Sequence, residues 1–560
     1  MAEATMKPWV DGLTFSRVLE ETATRYGDHD ALVFPQLHYH RTYSTFQAEV
    51  HNCAKALLAL GIGPGQHIGI WATNWPEWTI LQFATAAVGA VLVNINPAYR
   101  AHELEYVLHQ ADVTTLFLTD RFKSTDYFAT FTSICPELAE TSDELVSARF
   151  PRLRHVVSIK EAFRPGMLSW RQFLDRGKTI ADSALRARQD TVRAEDVVSI
   201  QYTSGTTGFP KGAMLSHRNL LMNAFYVGQR LDFTDRDRLC IPVPFYHCFG
   251  CVMGTLMCAV HGSAMVIPAE FFDALATLEA IEREQCTGVF GVPTMFLAEL
   301  QHARFADFNL KSLRTGIMAG SPCPIEVMRS VVGTMGARDI TIAYGLTEAS
   351  PVITQTCATD SLEHRVGTVG TILPGLEVRI AQWGNLEAAQ DGQPGELLVR
   401  GHGVMKGYFN KPAETAQAIT PDGWLRTGDL ALRTADGYYR ITGRIKDMII
   451  RGGENIYPRE IEEFLYTHPH IADVQVIGLP DVHFGEEVCA WVRLRAGAVM
   501  TSADLRQFCR ERIAHFKVPR YVVFVDEFPT TVTGKVQKFK LRELGIRHFG
   551  LQTAATIETA

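Results

Sequence analysis

The chain lacks any cysteine pattern that would serve a disulfide scaffold. Its 11 cysteines are odd in number and scattered over 560 residues, which suits a reducing compartment better than a cross-linked secreted one. Long hydrophobic runs are missing as well. The longest apolar stretch, residues 248–261, is broken by Gly250 and Gly254 and is too short to span a bilayer, so no integral membrane segment is expected. The opening nine residues are short of apolar side chains and carry Glu3, unlike a secretory signal. The body of the chain has no long Lys/Arg run, and 54 basic against 61 acidic residues give a formal net charge of -7. That balance argues against a nucleic-acid partner, because phosphate-backbone affinity needs a basic surface. A small nucleotide stays compatible, since a loop of backbone amides holds phosphates with little net charge. A soluble, cytoplasmic protein is the expectation, and a homodimer is left open.

What is present is a globular composition, 46% hydrophobic and 21% charged, over a length that exceeds one ordinary core, so two or more domains are expected. From about residue 66 to 344, short β-branched runs alternate with longer runs of helical period. Residues 67–71, 91–93 and 113–118 read as strands, with 75–89 and 103–111 as helices between them. Residues 264–267, 271–285, 288–292 and 293–303 repeat the cycle. This alternation predicts βαβ units and largely parallel sheets, whose ligands sit beyond the carboxyl ends of the strands. Between residues 367 and 443, short strands and Gly-rich turns dominate, including Asp436-Gly437 between two β runs, as in an antiparallel β subdomain. After Arg444, a helix at 459–466, strands at 473–477 and 488–494, a helix at 503–513 and a strand at 521–525 fit a compact α+β unit. The expected fold is therefore α/β: a large N-terminal domain, 1–443, of βαβ parallel sheets with a β subdomain at about 367–443, and a small C-terminal α+β lid domain, 444–560.

The most informative segment follows the strand at 197–200 and reads Tyr202-Thr-Ser-Gly-Thr-Thr-Gly-Phe-Pro-Lys-Gly212. Its glycines let amides approach a ligand closely. Five hydroxyls, from Tyr202, Thr203, Ser204, Thr206 and Thr207, offer donors, and Lys211 supplies charge. Such a loop suits a polyphosphate; the alternative is a polar turn. No Gly-Lys-Ser/Thr follows at the Walker spacing, so a P-loop kinase or ATPase is disfavoured. The C-x-x-C formed by Cys248 and Cys251 beside His247 has apolar neighbours and no second pair at zinc-finger spacing, so small buried cysteines are expected. The basic stretch after Lys535, with Glu543 interspersed, reads as a solvated face.

Four further motifs follow the loop in order. They are Tyr344-Gly-Leu-Thr-Glu348, Gly423-Trp-Leu-Arg-Thr-Gly-Asp429, Tyr439-Arg-Ile-Thr-Gly-Arg-Ile-Lys-Asp447 and Thr533-Gly-Lys-Val-Gln-Lys538. The third is followed by Ile450-Arg-Gly-Gly-Glu-Asn-Ile-Tyr-Pro458. Together they make the chain, from about residue 14 to 545, resemble the adenylate-forming enzymes, which include acyl-CoA synthetases, luciferases and peptide-synthetase adenylation domains. Across 446–458 and 515–542 it looks most like the medium-chain-type acyl-CoA synthetases.

The resemblance implies ATP and coenzyme A as co-substrates and Mg2+ as the metal. It assigns the nucleotide phosphates to Thr203, Ser204, Gly205, Thr206, Thr207, Gly208, Phe209, Pro210 and Lys211. It gives the metal to Glu348 and the hydroxyl of Thr206, adenine to Tyr344 and the Gly320-Ser321 turn, the α-phosphate to Thr347, and the ribose to Asp429 and Arg444. One carboxylate is enough for a hard cation that keeps waters and substrate phosphates as its other ligands. Lys535 matches the catalytic lysine. Attack of a carboxylate on the α-phosphorus builds negative charge that a positioned ammonium would stabilise in the transition state; the alternative is a solvated lysine in a basic tail. Lys446 matches the hinge about which the small domain rotates, withdrawing Lys535 and bringing Arg451, Gly452, Gly453 and Asn455 to the site for coenzyme A.

His247 resembles the family's aromatic gate near the substrate carboxylate, although a lone His is equally a packed core residue. Residues 239–262 hold no acidic side chain. A buried substrate ammonium would lack a partner there, which favours an aliphatic or aryl acid, and Gly250 and Gly254 are expected to leave room for its tail. The implied function is an ATP-dependent, AMP-forming carboxylic acid–CoA ligase acting on a medium- or long-chain fatty acid or similar apolar acid. The alternatives are an acyl-AMP ligase that loads a carrier protein and a nucleotide-binding sensor without chemistry.

Overall fold

The computed structural model describes residues 8–141, 144–160, 164–203, 210–321, 323–382, 387–452, 454–510 and 512–555. Within them the expected βαβ alternation builds two large sheets. The first, of nine strands, carries Asp339–Gly345, Thr315–Met318, Gly288–Gly291, Arg238–Cys240, Ala264–Val266 and Asp30–Phe34 as parallel neighbours in that order, with antiparallel strands at both edges. The second, of eight, runs Val197–Thr203, Val91–Asn94, His67–Trp71, Val113–Leu118 and His155–Ser158 in parallel, and Lys211–Ser216 closes antiparallel on Val197–Thr203. His67–Trp71 is buried at every position, the signature of a parallel strand covered on both faces.

Helices fill the space between the sheets. His217–Arg230 touches Lys211–Ser216 of one sheet and Val352–Gln355 of the other. Its start is fixed by Ser216, whose hydroxyl accepts from the Asn219 N–H while the Asn219 side chain accepts from the Ser216 N–H, a reciprocal cap. Pro76–Ala87 begins with Pro at its first turn and buries eleven of its twelve residues, as a helix surrounded by core must. Burial of that kind is the main stabilising term, at roughly 25 cal/mol per Å2 of apolar surface removed from water.

Leu376–Ala381, Gly395–Gly401, Leu425–Arg433 and Tyr439–Arg444 form an antiparallel four-stranded sheet. Asp436-Gly437 turns the chain where expected, with Gly437 at φ +89, a conformation natural only to glycine. The C-terminal segment has a separate core around Ile449, Leu465, Val474, Val488, Val492 and Leu505, built on the hairpin Ile471–Asp481 with Gly485–Leu494. The basic stretch after Lys535 departs from expectation in part. It is the helix Lys538–His548, with Leu541 buried, and it is docked: Lys538 Nζ lies 2.6 Å from Glu462 Oε1 and Arg542 Nη1 2.8 Å from Glu486 Oε1. Lys538 and Arg542 are held by acidic partners on the C-terminal core, while Lys540, Glu543, Arg547 and His548 face solvent.

Candidate functional site

The hairpin Val197–Thr203 with Lys211–Ser216 pairs Thr203 directly with Lys211, so the two ends of the glycine-hydroxyl loop leave the sheet side by side. Ser204, Gly205, Thr206, Thr207, Gly208 and Phe209 lie outside the described residues, and so does Gly453. The loop ends are firmly placed. Thr203 Oγ1 donates to Glu348 Oε1 at 3.1 Å, and the Pro210 carbonyl accepts from the Tyr106 hydroxyl at 3.1 Å. Tyr408 donates its hydroxyl to the same Glu348 oxygen at 2.8 Å. The Lys211 ammonium sits 4.4 Å from the centre of the Tyr408 ring, a cation over a π face. Glu348 and Thr347 occupy a single 3-10 turn, Thr347–Ala349, directly beyond strand Asp339–Gly345, and both are buried.

The same strand delivers Tyr344. Its hydroxyl donates to Asp429 Oδ2 at 2.8 Å, and Arg444 Nε lies 2.9 Å from Asp429 Oδ1. Asp429 and Arg444 face each other across adjacent strands, which is why two motifs fifteen residues apart meet. Burial, with the Asp429 charge beside it, pushes the Tyr344 phenol well up, so it serves as a neutral donor. Thr315–Met318 neighbours Asp339–Gly345 in register. Gly320, at φ +87, and half-buried Ser321 therefore emerge at the same sheet end as Tyr344.

Lys535 arrives from the C-terminal segment on a tight turn. Thr531 N–H donates to the Lys535 carbonyl at 2.8 Å, Gly534 N–H to the Thr531 carbonyl at 2.9 Å, and Lys535 N–H to Thr531 Oγ1 at 3.1 Å. Gly534 has φ +79, and a Cβ there would meet Thr294 Oγ1 and Val292 Cγ2 at 2.9 Å. Thr294 Oγ1 donates to the Gly534 carbonyl at 3.3 Å, so the turn rests on the first turn of helix Pro293–Leu300. Burial, then the Arg444 and Lys446 cations, pull the Lys535 ammonium down from 10.5 to about 8, against the opposing pull of Asp429 and Asp447. His247 is lowered to about 4 by burial and by Lys535. Its Nδ1 accepts from the Phe249 N–H at 3.1 Å, so the neutral ring carries its proton on Nε2.

Contacts join Thr203 to Glu348 directly, Lys211 to Glu348 through Tyr408 and Tyr344 to Arg444 through Asp429, and Thr347 shares the turn of Glu348. Electrostatic interactions tie His247 to Lys535, Lys535 to Arg444 and Asp429, and Arg444 to Glu348. They do not include the 451–455 segment. Arg451 is turned to Glu487 with Nε and Nη2 contacts of 2.7 and 3.0 Å, and its guanidinium lies 4.6 Å over the Phe484 ring. Gly452, at φ +59, donates to the Phe484 carbonyl at 2.8 Å, and Asn455 is exposed on the hairpin partner strand. Lys446 is exposed in the turn Ile445–Asp447.

Two expectations about the substrate side change. Gly250 and Gly254 do not open space for a tail. A Cβ at Gly250 would fall 2.4 Å from the Pro244 carbonyl oxygen, and one at Gly254 would fall 3.1 Å from Ile241 Cγ2; both glycines serve close packing. Cys248 and Cys251 are buried as expected, but they are hydrogen-bonded rather than purely apolar. Cys248 Sγ donates to Gln201 Oε1 at 2.8 Å, and Cys251 Sγ accepts from Gln201 Nε2 at 3.4 Å. Burial pushes the Cys251 thiol up to about 12, so it is no nucleophile at neutral pH. Tyr408 escaped sequence reasoning. It lies on the two-residue edge strand Gly407–Tyr408, with no motif around it beyond Gly-Tyr.

Among the described residues no cluster of three or more His, Cys, Asp or Glu could hold a metal ion by itself, and no helix is long and apolar enough to cross a membrane. Residues 19–409 match the model of the AMP-binding enzyme family, and residues 460–535 that of the AMP-binding enzyme C-terminal domain. The "putative acyl-CoA synthetase YngI" of Bacillus subtilis (strain 168) is 51% identical over 97% of this chain and 98% of its own length. The mitochondrial medium-chain acyl-CoA ligase ACSF2 of Danio rerio is 42% identical over 96% of this chain and 89% of its own. Among solved structures, the anthranilate CoA ligase AuaEII in complex with anthranoyl-AMP has a TM-score of 0.83 at 27% identity, covering 96% of this chain and 98% of that one. ATP-bound MatB from Rhodopseudomonas palustris has a TM-score of 0.81 at 28% identity, covering 94% and 98%.

Proposed function

Because the chain belongs to the AMP-binding enzyme family, we propose that the site just described adenylates an apolar carboxylic acid with ATP, and that the enzyme then transfers the acyl group to coenzyme A. It is an AMP-forming acid–thiol ligase of the acyl-CoA synthetase type. The observation that carries this reading is the convergence of the Lys535 turn, seated on the first turn of Pro293–Leu300, with Glu348 and the Tyr344–Asp429–Arg444 group.

In the first half-reaction the acid's carboxylate attacks the α-phosphorus and pyrophosphate leaves. Lys535 holds an ammonium where negative charge builds on the phosphoryl oxygens, in a site that excludes much of the water. Asp429, as an ionised acceptor, takes ribose hydroxyls, while Arg444 fixes its orientation. Tyr344 and the Gly320-Ser321 turn flank adenine, and Thr347 meets the α-phosphate. His247, neutral with Nε2–H, offers a donor beside the reacting carboxylate. Glu348 suits a divalent cation: its Oε1 is held by two donors, so Oε2 is the oxygen a cation would take, with Thr206 and substrate phosphates completing the shell. Magnesium bound there would neutralise phosphate charge.

In the second half-reaction the small lobe, 444–560, turns about Lys446. Lys535 withdraws, and the 451–455 segment comes to the acyl-adenylate, where the coenzyme A thiolate attacks the acyl carbon and AMP leaves. Gly452 takes a positive φ natural to glycine, and pantetheine would pass beside this turn once the lobe has moved. The cytoplasm as compartment rests on eleven free cysteines; the ACSF2 relatives are named mitochondrial.

Pyrophosphate release measured across acids from acetate to palmitate, with aryl and branched acids, tests the reading. Turnover with one class of apolar acid and thioester formation with free coenzyme A are expected. Silence across the whole panel would refute it. Lys535→Ala should lower adenylation by about 100- to 1,000-fold while still converting supplied acyl-adenylate and coenzyme A to thioester. Equal loss of both half-reactions would contradict the assigned role.

A further inference from the structure

Glu348 needs a fixed orientation to meet a cation, yet a glutamate side chain has three rotatable bonds and sits here in a short turn. Its orientation is set from outside that turn. Tyr408 and Thr203 both donate to Oε1, at 2.8 and 3.1 Å. Tyr408 is itself over-determined. It is 6% exposed, and its N–H donates to Thr415 Oγ1 at 2.9 Å. Gly407 before it takes φ +128, where a Cβ would strike Thr415 Cγ2 at 2.9 Å. The strand pairs Tyr408 with Ala213, two residues beyond Lys211 and so on the same face of its strand. That register brings the Lys211 ammonium over the Tyr408 ring. One phenol therefore touches the carboxylate with its hydroxyl and the far end of the nucleotide loop with its face.

We propose that Tyr408 is a positioning residue: its hydroxyl aims the Glu348 carboxylate at a divalent cation, and its ring seats Lys211, so that Glu348 and both ends of the 203–211 segment form one unit. This rests on the reading of Glu348 given under Proposed function. Outer-shell partners of a ligating carboxylate change metal affinity by about 10- to 100-fold when removed. Tyr408→Phe keeps the ring and deletes only the hydroxyl. Tyr408→Leu deletes both.

Mn2+ binding followed by electron paramagnetic resonance, with ATP present and no acid to turn over, gives a readout independent of catalysis. Metal-free AMP binding serves as the control for the loop. Tyr408→Phe should weaken Mn2+ binding in the presence of ATP by about 10-fold or more and leave AMP affinity unchanged, whereas Tyr408→Leu should weaken both. Unchanged Mn2+ affinity in Tyr408→Phe, an equal loss of Mn2+ and AMP affinity, or a Tyr408→Phe chain that does not fold would overturn the proposal. A parent chain that binds Mn2+ no better with ATP than without it would remove the metal role of Glu348 itself, and the role of Tyr408 with it. A parent that does so, matched by the variant, would remove Tyr408 alone.

Discussion

At the scale of single residues, Lys535 is poised by its surroundings. An ammonium that titrates at about 8 in the nucleotide-free site is protonated below that pH and neutral above it. In the proposed adenylation, the charged form is the one that would stabilise the transition state. The alkaline limb of kcat/KM for pyrophosphate release should therefore fall with a midpoint near pH 8, because kcat/KM reports the free enzyme. The limb of kcat should lie at higher pH, since a bound triphosphate favours the ammonium. Initial rates from pH 6 to 10 would settle this, and a shared midpoint for both parameters would count against the ammonium. Asp429 is one of the charges that raise the Lys535 value, so Asp429→Asn should move the kcat/KM midpoint below that of the parent and raise the KM for ATP. A raised KM with an unmoved midpoint would reduce Asp429 to a ribose contact.

Elements decide how such residues are presented. The turn 531–535 works because Gly534 occupies φ +79 and its carbonyl accepts from Thr294 Oγ1. Gly534→Ala would meet both backbone strain and a 2.9 Å contact, together worth roughly 1–3 kcal/mol. Adenylation should slow while the thioester half-reaction from supplied acyl-adenylate is spared, and comparing the two half-reactions checks it. At this scale the sequence was legible where period and composition agree. Residues 67–71 and 113–118 are strands with the expected bounds, because β-branched and apolar runs bounded by polar residues have few other uses. It was illegible at Gly407–Tyr408, where two residues become a strand only because Lys211–Ser216 offers an edge. At Lys538–His548 it was right about the exposed Lys540, Glu543 and Arg547 and missed that Lys538 and Arg542 pair with Glu462 and Glu486 from distant positions.

At the scale of the whole molecule, Lys535 lies within electrostatic reach of Arg444 and Asp429, while Arg451 is paired with Glu487. In the proposed mechanism this arrangement serves adenylation, and thioester formation would require the small lobe to turn. Lys446→Pro would restrict φ in the exposed turn Ile445–Asp447. It should slow thioester formation by on the order of tenfold or more, a barrier change near 1.4 kcal/mol, and leave single-turnover adenylation close to parent. Equal slowing of both steps would place the pivot elsewhere.

The sequence by itself determined the α/β class and the order of the motifs, because hydrophobic period and short glycine, hydroxyl and charge spacings reflect local backbone demands, and the resemblance those motifs carry named the polar groups proposed for the site. Only the tertiary structure decided that Tyr408 supports Glu348, that Gly250 and Gly254 close space rather than open it, and that the ammonium of Lys535 is crowded by Arg444 and Lys446. These outcomes depend on distances between segments far apart in the chain. Packing sets such distances, and no local pattern of residues encodes them.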